Sequence, residues 1–386
     1  MPGSPELQLE IQVLTMKELR ISVIGCGDRA AGVISNFLKA ADGRASVKRY
    51  YDPAPRKLDQ VIARWNATDA LRVSSVEEAV NAPDVDLVAI FSPNARHCEA
   101  ILAALAAGKR VFSEKPLATT LEDCEKIVAA EKRAGLPIMT GFVLRYSPIY
   151  RKVKELLSSG TFGSIVNIAA SENRQSWGGG NSMSADYGWR RFVEDAGPYL
   201  LEKCSHDLDL LNWFAEATPT RVAAFCGLDY FVPANAALWD KFDRDTFARM
   251  VPPERRINPF TSPKTIFDNH TVIMEYPGGI KMNFQLTLAN AIPERRMFIN
   301  CTEGTIIVEC FSGVLRCRRY GDPVTTSLEF SGGGHGGGDP VMAKEIVESL
   351  LNDTPLEVSG SGNGLACARV ALAADLSART GRIVSL

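Results

Sequence analysis

The sequence predicts a two-domain protein: a doubly wound parallel α/β sheet, then an α+β domain on an open, mainly antiparallel sheet. Three observations predict it. Strand and helix patterns alternate from residue 18 to residue 142, the order that builds a parallel sheet with helices on both faces. The first strand pattern ends in a glycine-rich turn that opens a helix. After Phe142 strand follows strand with few helices between, the sign of antiparallel pairing. A length of 386 residues also exceeds what one hydrophobic core usually serves.

Leu19-Arg20-Ile21-Ser22-Val23-Ile24 is a short apolar run ending at glycine, as a buried strand does. Gly25-Cys26-Gly27-Asp28-Arg29-Ala30 follows, then helical spacing from residue 31 to 38. In that setting Gly25 permits a tight turn, and Gly27 lets a pyrophosphate approach backbone at a helix N-terminus rich in free N–H groups. Ala30 fits the third position of the Gly-x-Gly-x-x-Gly/Ala pattern. A second strand, residues 47–51, runs into Asp52. An acid there accepts hydrogen bonds from the adenosine ribose and repels a 2′-phosphate, so NAD is expected over NADP. Arg56 and Lys57 stand close enough to soften that preference, and Asp52 has the alternative task of opening the Asp52-Pro53 turn.

A third strand reading covers residues 85–91 and ends in Ser92-Pro93-Asn94, which should line the cofactor, since ligands of open α/β sheets lie beyond the carboxyl ends of strands. His97 falls in the first turn of the next helix, residues 96–107, placed to cap or pack beside that loop. Gly108 closes that helix. Residues 110–113 form another strand and deliver Glu114-Lys115-Pro116 to the same edge. Thr120 caps a helix that runs to Gly135, and residues 137–142 complete the sheet.

In the second domain, residues 143–386, a helix spans 147–159. Six strands are expected, at 165–171, 221–226, 270–276, 280–287, 296–301 and 305–310, with a hairpin signal at Tyr276-Pro277-Gly278-Gly279. One face of such a sheet would be left uncovered, so a homodimer or homotetramer through it is expected. Residues 228–268 read as a long irregular excursion, and residues 331–339 as a glycine-rich loop serving close backbone approach or a mobile lid. Helices at 340–352 and 364–380 end the chain and are expected to pack back on the first domain.

Composition narrows the function classes. The net charge of −2 carries no basic excess, so nucleic acid is not an expected partner. Nine scattered cysteines without a Cys-x-x-Cys pair point away from a zinc ribbon, and no metal ligand set is expected. No apolar run reaches the ~18–20 residues of a membrane helix, and residues 1–17 lack the pattern of a secretory signal. They read as an arm or tag, and a reducing cytoplasm is the expected compartment.

Glu202, His206 and Asp209 stand at i, i+4 and i+7 and share one helix face, with Lys203 beside them. A histidine among acids suits removal of a hydroxyl proton, and Lys115 suits stabilisation of a developing alkoxide. Taken alone, the segment could equally be a solvated helix face with ordinary ion pairs. Arg145, Tyr146, Trp177, Trp189, Arg190, Tyr199, Asp209 and His335 are candidates to line a sugar pocket, where aromatic faces meet C–H surfaces and polar groups read hydroxyls.

The ordered set of the glycine turn, Ser92-Pro93-Asn94-Ala95-Arg96-His97, Ala107-Gly108-Lys109-Arg110-Val111-Phe112-Ser113-Glu114-Lys115-Pro116-Leu117, Gly141-Phe142-Val143-Leu144-Arg145-Tyr146 and His206-Asp207-Leu208-Asp209 resembles the glucose–fructose oxidoreductase and inositol dehydrogenase (Gfo/Idh/MocA) family. The resemblance covers nearly everything from Leu19 to Leu386. It implies an NAD-dependent oxidoreductase acting on a ring hydroxyl of a sugar or cyclitol. Lys115 would be the active-site lysine and His206 the acid/base. Gly25, Cys26, Gly27, Asp28, Arg29, Ala30, Asp52, Arg56, Ser92, Pro93, Asn94, His97, Glu114 and Lys115 would stand on the cofactor side. The family usually carries aspartate four residues before the histidine; here Glu202 stands there, followed by Lys203, which leaves the division of labour among Glu202, Lys203 and His206 open. Two alternatives remain: an NAD-assisted glycosidase or lyase working through transient oxidation, and an inert nucleotide-sensing regulator.

Overall fold

The computed structural model describes residues 18–356 and 359–386, apart from the side chains of residues 55–57. The N-terminal arm and the side chain of Arg56 therefore lie outside the described residues. Six parallel strands form the first sheet: β1 (Leu19–Ile24), β2 (Ala45–Tyr51), β3 (Leu71–Arg72), β4 (Leu87–Ile90), β5 (Arg110–Ser113) and β6 (Ile138–Thr140), in the order β3-β2-β1-β4-β5-β6. The order reverses between β1 and β4, and a crevice opens there at the strand ends. β4 and β6 are buried along their whole length, which is why they read as unbroken apolar runs. The helix Leu121–Ala134 starts where Thr120 Oγ1 accepts the Asp123 N–H at 3.2 Å and stops at Gly135, whose φ of +64° suits glycine.

The second sheet has nine strands, not six: β7 (Ile165–Gln175), β8 (Arg221–Gly227), β9 (Asn269–Glu275), β10 (Lys281–Asn290), β11 (Glu294–Cys301), β12 (Gly304–Glu309), β13 (Val314–Arg319), β14 (Thr326–Glu329) and β15 (Val384–Ser385). Their order is β14-β13-β12-β11-β7-β10-β9-β8-β15. Of the extra three, β14 and β15 are short strands at the two edges, as β3 is in the first sheet, and β13 lies just inside β14 with little buried surface; none carries a firm alternation. All described pairings are antiparallel except β7 with β10. Burial alternates along β10 and β11, so one face packs inward and the other faces out.

The excursion at 228–268 is more ordered than its sequence suggests. Phe242 stacks on Phe247 at 4.2 Å, and Phe231 and Phe260 join the cluster. The Asp268 carboxylate accepts the N–H groups of Asp229, Tyr230 and Phe231 at 3.0, 2.9 and 2.7 Å, which fixes where the excursion leaves β8.

The chain's end returns to the first sheet. Helix Gly338–Asn352 packs on helix Asp28–Ala41, so Met342 and Ile346 share a core with Phe37 and Phe112. Helix Ser361–Thr380 packs on both Leu121–Ala134 and Tyr199–Ala215. These contacts hold helix Tyr199–Ala215 against the strand ends where the crevice opens.

Candidate active site

The glycine turn is shaped by contact. Gly25 has φ +85°, and a Cβ there would stand 2.5 Å from Ser92 N and 2.6 Å from the Phe91 carbonyl carbon, so only glycine lets β1 end beside β4. Gly27 caps helix Asp28–Ala41 without a side-chain partner, and a Cβ there would meet nothing within 4 Å. Open space at a bare helix N-terminus fits a pyrophosphate. Asp52 opens the Asp52-Pro53 turn, the alternative task considered for it, and also braces the glycine turn. Its Oδ2 accepts the Cys26 N–H at 2.7 Å, and its Oδ1 accepts the Ala54 N–H at 2.8 Å. A cavity lined by Asp52, Pro53, Arg72 and Ser74 adjoins it, where an adenosine would lie. The residues present therefore fit a dinucleotide.

His97 is buried, with Nδ1 2.8 Å from the Pro116 carbonyl and Nε2 2.9 Å from the Ser92 carbonyl. It ties together the two loops that deliver Ser92 and Lys115. Burial pushes its pKa down, against the pull of those carbonyls. Asn94 is also buried and donates to the Ala196 carbonyl at 2.8 Å, linking this loop to the second domain.

Lys115 reaches across. Its ammonium donates to the Glu202 backbone carbonyl, the acceptor that the His206 N–H uses in helix Tyr199–Ala215. Lysine and histidine thus meet at one helical turn. That helix is buried over nearly all its length, so the solvated-face reading fails. His206 is 2% exposed, and its Nδ1 has no hydrogen-bond partner among the described residues. Burial first, then the charges of Lys115, His335, Arg295 and Lys203, drive its pKa well below 6.5 and keep the ring neutral. Burial pushes the Glu202 carboxyl up, but Lys115 and Arg190 outweigh it and hold it below the usual range; Arg190 Nε donates to Glu202 Oε1 at 2.8 Å. Lys203 is pushed down to about 8 by burial, against the pull of Glu172 at 3.3 Å.

A buried charged network supports this helix. Arg295, 2% exposed, grips Asp207 through Nε at 2.9 Å and Nη2 at 2.6 Å, and its Nη1 donates to the Gly334 carbonyl at 2.7 Å. Glu172 stands 3.8 Å from the same guanidinium. Arg174 donates to the Tyr199 hydroxyl. Ser147 Oγ donates to the Gly336 carbonyl at 2.8 Å, and a Cβ on Gly338 would lie 2.4 Å from the Val143 carbonyl. The glycine-rich loop is therefore pinned by close backbone approach.

The structure gathers Lys115, Glu202, Lys203, His206 and His335, with Arg190 and Tyr199 beside them. The other pocket candidates make contacts of their own. Arg145 and Asp209 form a buried bidentate pair, Nε to Oδ2 at 2.7 Å and Nη2 to Oδ1 at 2.9 Å, because two opposite charges removed from water satisfy each other best. Tyr146 is fully buried in the core shared with Phe112. Trp177 stacks under Arg249 at 3.8 Å, and Trp189 under Arg190 at 4.3 Å. Glu172, Arg174 and Arg295 were missed. Their signal was charge inside strand patterns, since polar residues ended the strand reading at Ser171 while β7 runs on to Gln175.

Comparison with known proteins agrees with this architecture. Residues 19–142 match the family described as oxidoreductase family, NAD-binding Rossmann fold, and residues 150–307 match the GFO/IDH/MocA C-terminal domain. An inositol 2-dehydrogenase of Ralstonia nicotianae is 32% identical over 196 residues, covering 50% of this chain and 54% of that protein. The alignment thus spans about half of that relative. A levoglucosan dehydrogenase solved with NADH and levoglucosan superposes with a TM-score of 0.80 at 18% identity, over 96% of this chain and 99% of that one. The WlbA dehydrogenase from Bordetella pertussis, solved with NADH and UDP-GlcNAcA, gives 0.72 at 20% identity, over 97% and 99%. At such identities the superpositions speak for the fold. With both of its domains matched in order, the chain belongs to the GFO/IDH/MocA family and is an NAD-binding oxidoreductase.

Proposed function

We propose that this protein interconverts a ring hydroxyl and a ring ketone on a sugar, sugar derivative or cyclitol. The observation that carries the reading is a buried, neutral His206 on the same helical turn that anchors the Lys115 ammonium. NAD, when bound, takes up or supplies the hydride. Gly25, Gly27 and the helix N-terminus at Asp28 would hold its pyrophosphate, and Asp52 its adenosine ribose.

His206, uncharged, has a lone pair free to accept the proton of the substrate hydroxyl. Lys115 stands beside the same turn, where its ammonium stabilises the oxygen as it becomes an alkoxide. Arg190 and the ionised Glu202 present donors and acceptors suited to neighbouring hydroxyls. Lys203, with a lowered pKa, adds a titratable cation whose charge state sets how readily His206 keeps a proton. Relatives named for inositol and structures solved with levoglucosan or a nucleotide sugar support the substrate class.

The test is a panel of monosaccharides, anhydrosugars, cyclitols and glycosides with NAD, following NADH absorbance beside product mass. The expected result is one NADH per product lacking two hydrogens. No turnover across the panel would contradict the reading. Glycoside cleavage without net NADH would move the assignment to the transient-oxidation lyase.

A further inference from the structure

A base as enclosed as His206 needs a way to lose its proton. It is 2% exposed, and the charges of Lys115, Arg295 and Lys203 all weigh against a proton on its ring. The ring of His335 stands 5.5 Å away, centroid to centroid, at 66°. Its side chain keeps 28% exposure, so it faces both His206 and water.

His335 is also oriented. Its Nδ1 lies 2.8 Å from Asp339 Oδ2. Burial pushes the Asp339 carboxyl up, but the His335 hydrogen bond and the Arg29 guanidinium outweigh it and hold it well below the usual carboxylate range. An ionised carboxylate only accepts, so Nδ1 carries the hydrogen and Nε2 the lone pair. Arg29 Nη1 grips Asp339 Oδ1 at 2.5 Å, and Arg29 Nε grips Glu114 Oε1 at 2.5 Å. Arg295 fixes the preceding loop through the Gly334 carbonyl. The orienting acid is therefore anchored in the first domain and the loop in the second.

We propose that His335, oriented by Asp339, is the positioning residue through which His206 exchanges its proton with solvent. The inference rests on the reading of His206 as the acid/base. One proton moves and no electrons leave or enter. The His206 imidazolium gives an N–H proton to Nε2 of His335, directly or across one water. The His335 imidazolium is stabilised by Asp339 and then releases the proton from Nε2 to water. Reduction runs the same path backwards. The charged groups facing His335 are Asp339 on helix Gly338–Asn352, which follows its turn, Arg29 on helix Asp28–Ala41, and Lys203 on helix Tyr199–Ala215. Asp339 favours the charged ring, while Arg29 and Lys203 oppose it, which keeps that charge short-lived.

The chain has four histidines, so ¹⁵N-imidazole NMR of the NAD-saturated protein can resolve them singly. In the unmodified protein the His335 signals should show a protonated Nδ1 and a bare Nε2. Exchange of the His206 N–H with water should slow by roughly tenfold or more in both His335→Phe and His335→Gln. The opposite tautomer, or exchange unchanged in the folded variants, would overturn the proposal. If neither variant folds, the tautomer in the unmodified protein decides. A separate arm assays His206→Ala with levoglucosan, myo-inositol and D-glucose. Turnover retained there would sink the acid/base reading of His206, whatever the exchange data show.

Discussion

His206 enters the reaction uncharged, and this has a measurable signature. An ordinary histidine would bend the pH profile near 6.5, but burial and neighbouring cations place this one well below that value. The kcat/KM for oxidation should therefore show no ionisation near 6.5. Lys203, pushed down to about 8, should bend it instead. Below that pH Lys203 is a cation that opposes a proton on His206; above it the opposition is gone. Oxidation should accelerate as pH rises through about 8, and Lys203→Met should flatten that limb; paired pH–rate profiles check both. At the other end of the site, Asp52→Ser removes the charge that meets a 2′-phosphate. The ratio of NADP to NAD efficiency should rise by roughly tenfold, about 1.4 kcal/mol. Efficiency with NAD should fall as well, because Cys26 N–H loses its acceptor. Steady-state kinetics with both cofactors decides it.

The glycine turn separates two roles that its sequence pattern merges. Gly25→Ala forces a left-handed residue and a clash with the end of β4, so it should cost about 1–3 kcal/mol of stability. Gly27→Ala meets no atom of the described residues within 4 Å, so its melting temperature should stay near that of the unmodified protein while NAD affinity falls. Thermal melts beside NAD titrations distinguish them. Elements with a strong local signal were legible from sequence: the strand–turn–helix at Leu19–Ala41, the Thr120 cap and the alternation of β9 and β10. β3 and β15 were not, since two residues carry no period. At the site, Lys115 and His206 were legible because they sit in motifs. Arg295 and Glu172 were not, since their pairing across β7 and β11 is set by sheet register, which short-range spacing does not encode. The Arg145–Asp209 pair was hidden for the same reason: polarity marked both residues, and only tertiary contact reveals that they bind each other.

At the scale of the molecule, two sheets are bridged by the chain's last helices so that a lysine from one domain meets a histidine from the other. The outward face of the second sheet carries Phe225 at 80% and Ile273 at 55% exposure. Burying such residues against a second copy would cover it. Light scattering should report a dimer or tetramer, and Phe225→Asp with Ile273→Asp should shift it toward monomer; a monomeric unmodified protein would contradict this. The central claim is that Lys115 and His206 act together on one proton-coupled step. The most direct measurement is the single-turnover rate of NADH formation in Lys115→Ala, His206→Ala and the double variant, beside NAD affinity. Each single change should slow the step by roughly 10²–10⁴-fold, the double should cost less than the product of the two, and NAD affinity should change far less. Near-normal turnover in His206→Ala would contradict the account and shift the role to Glu202 or Lys203.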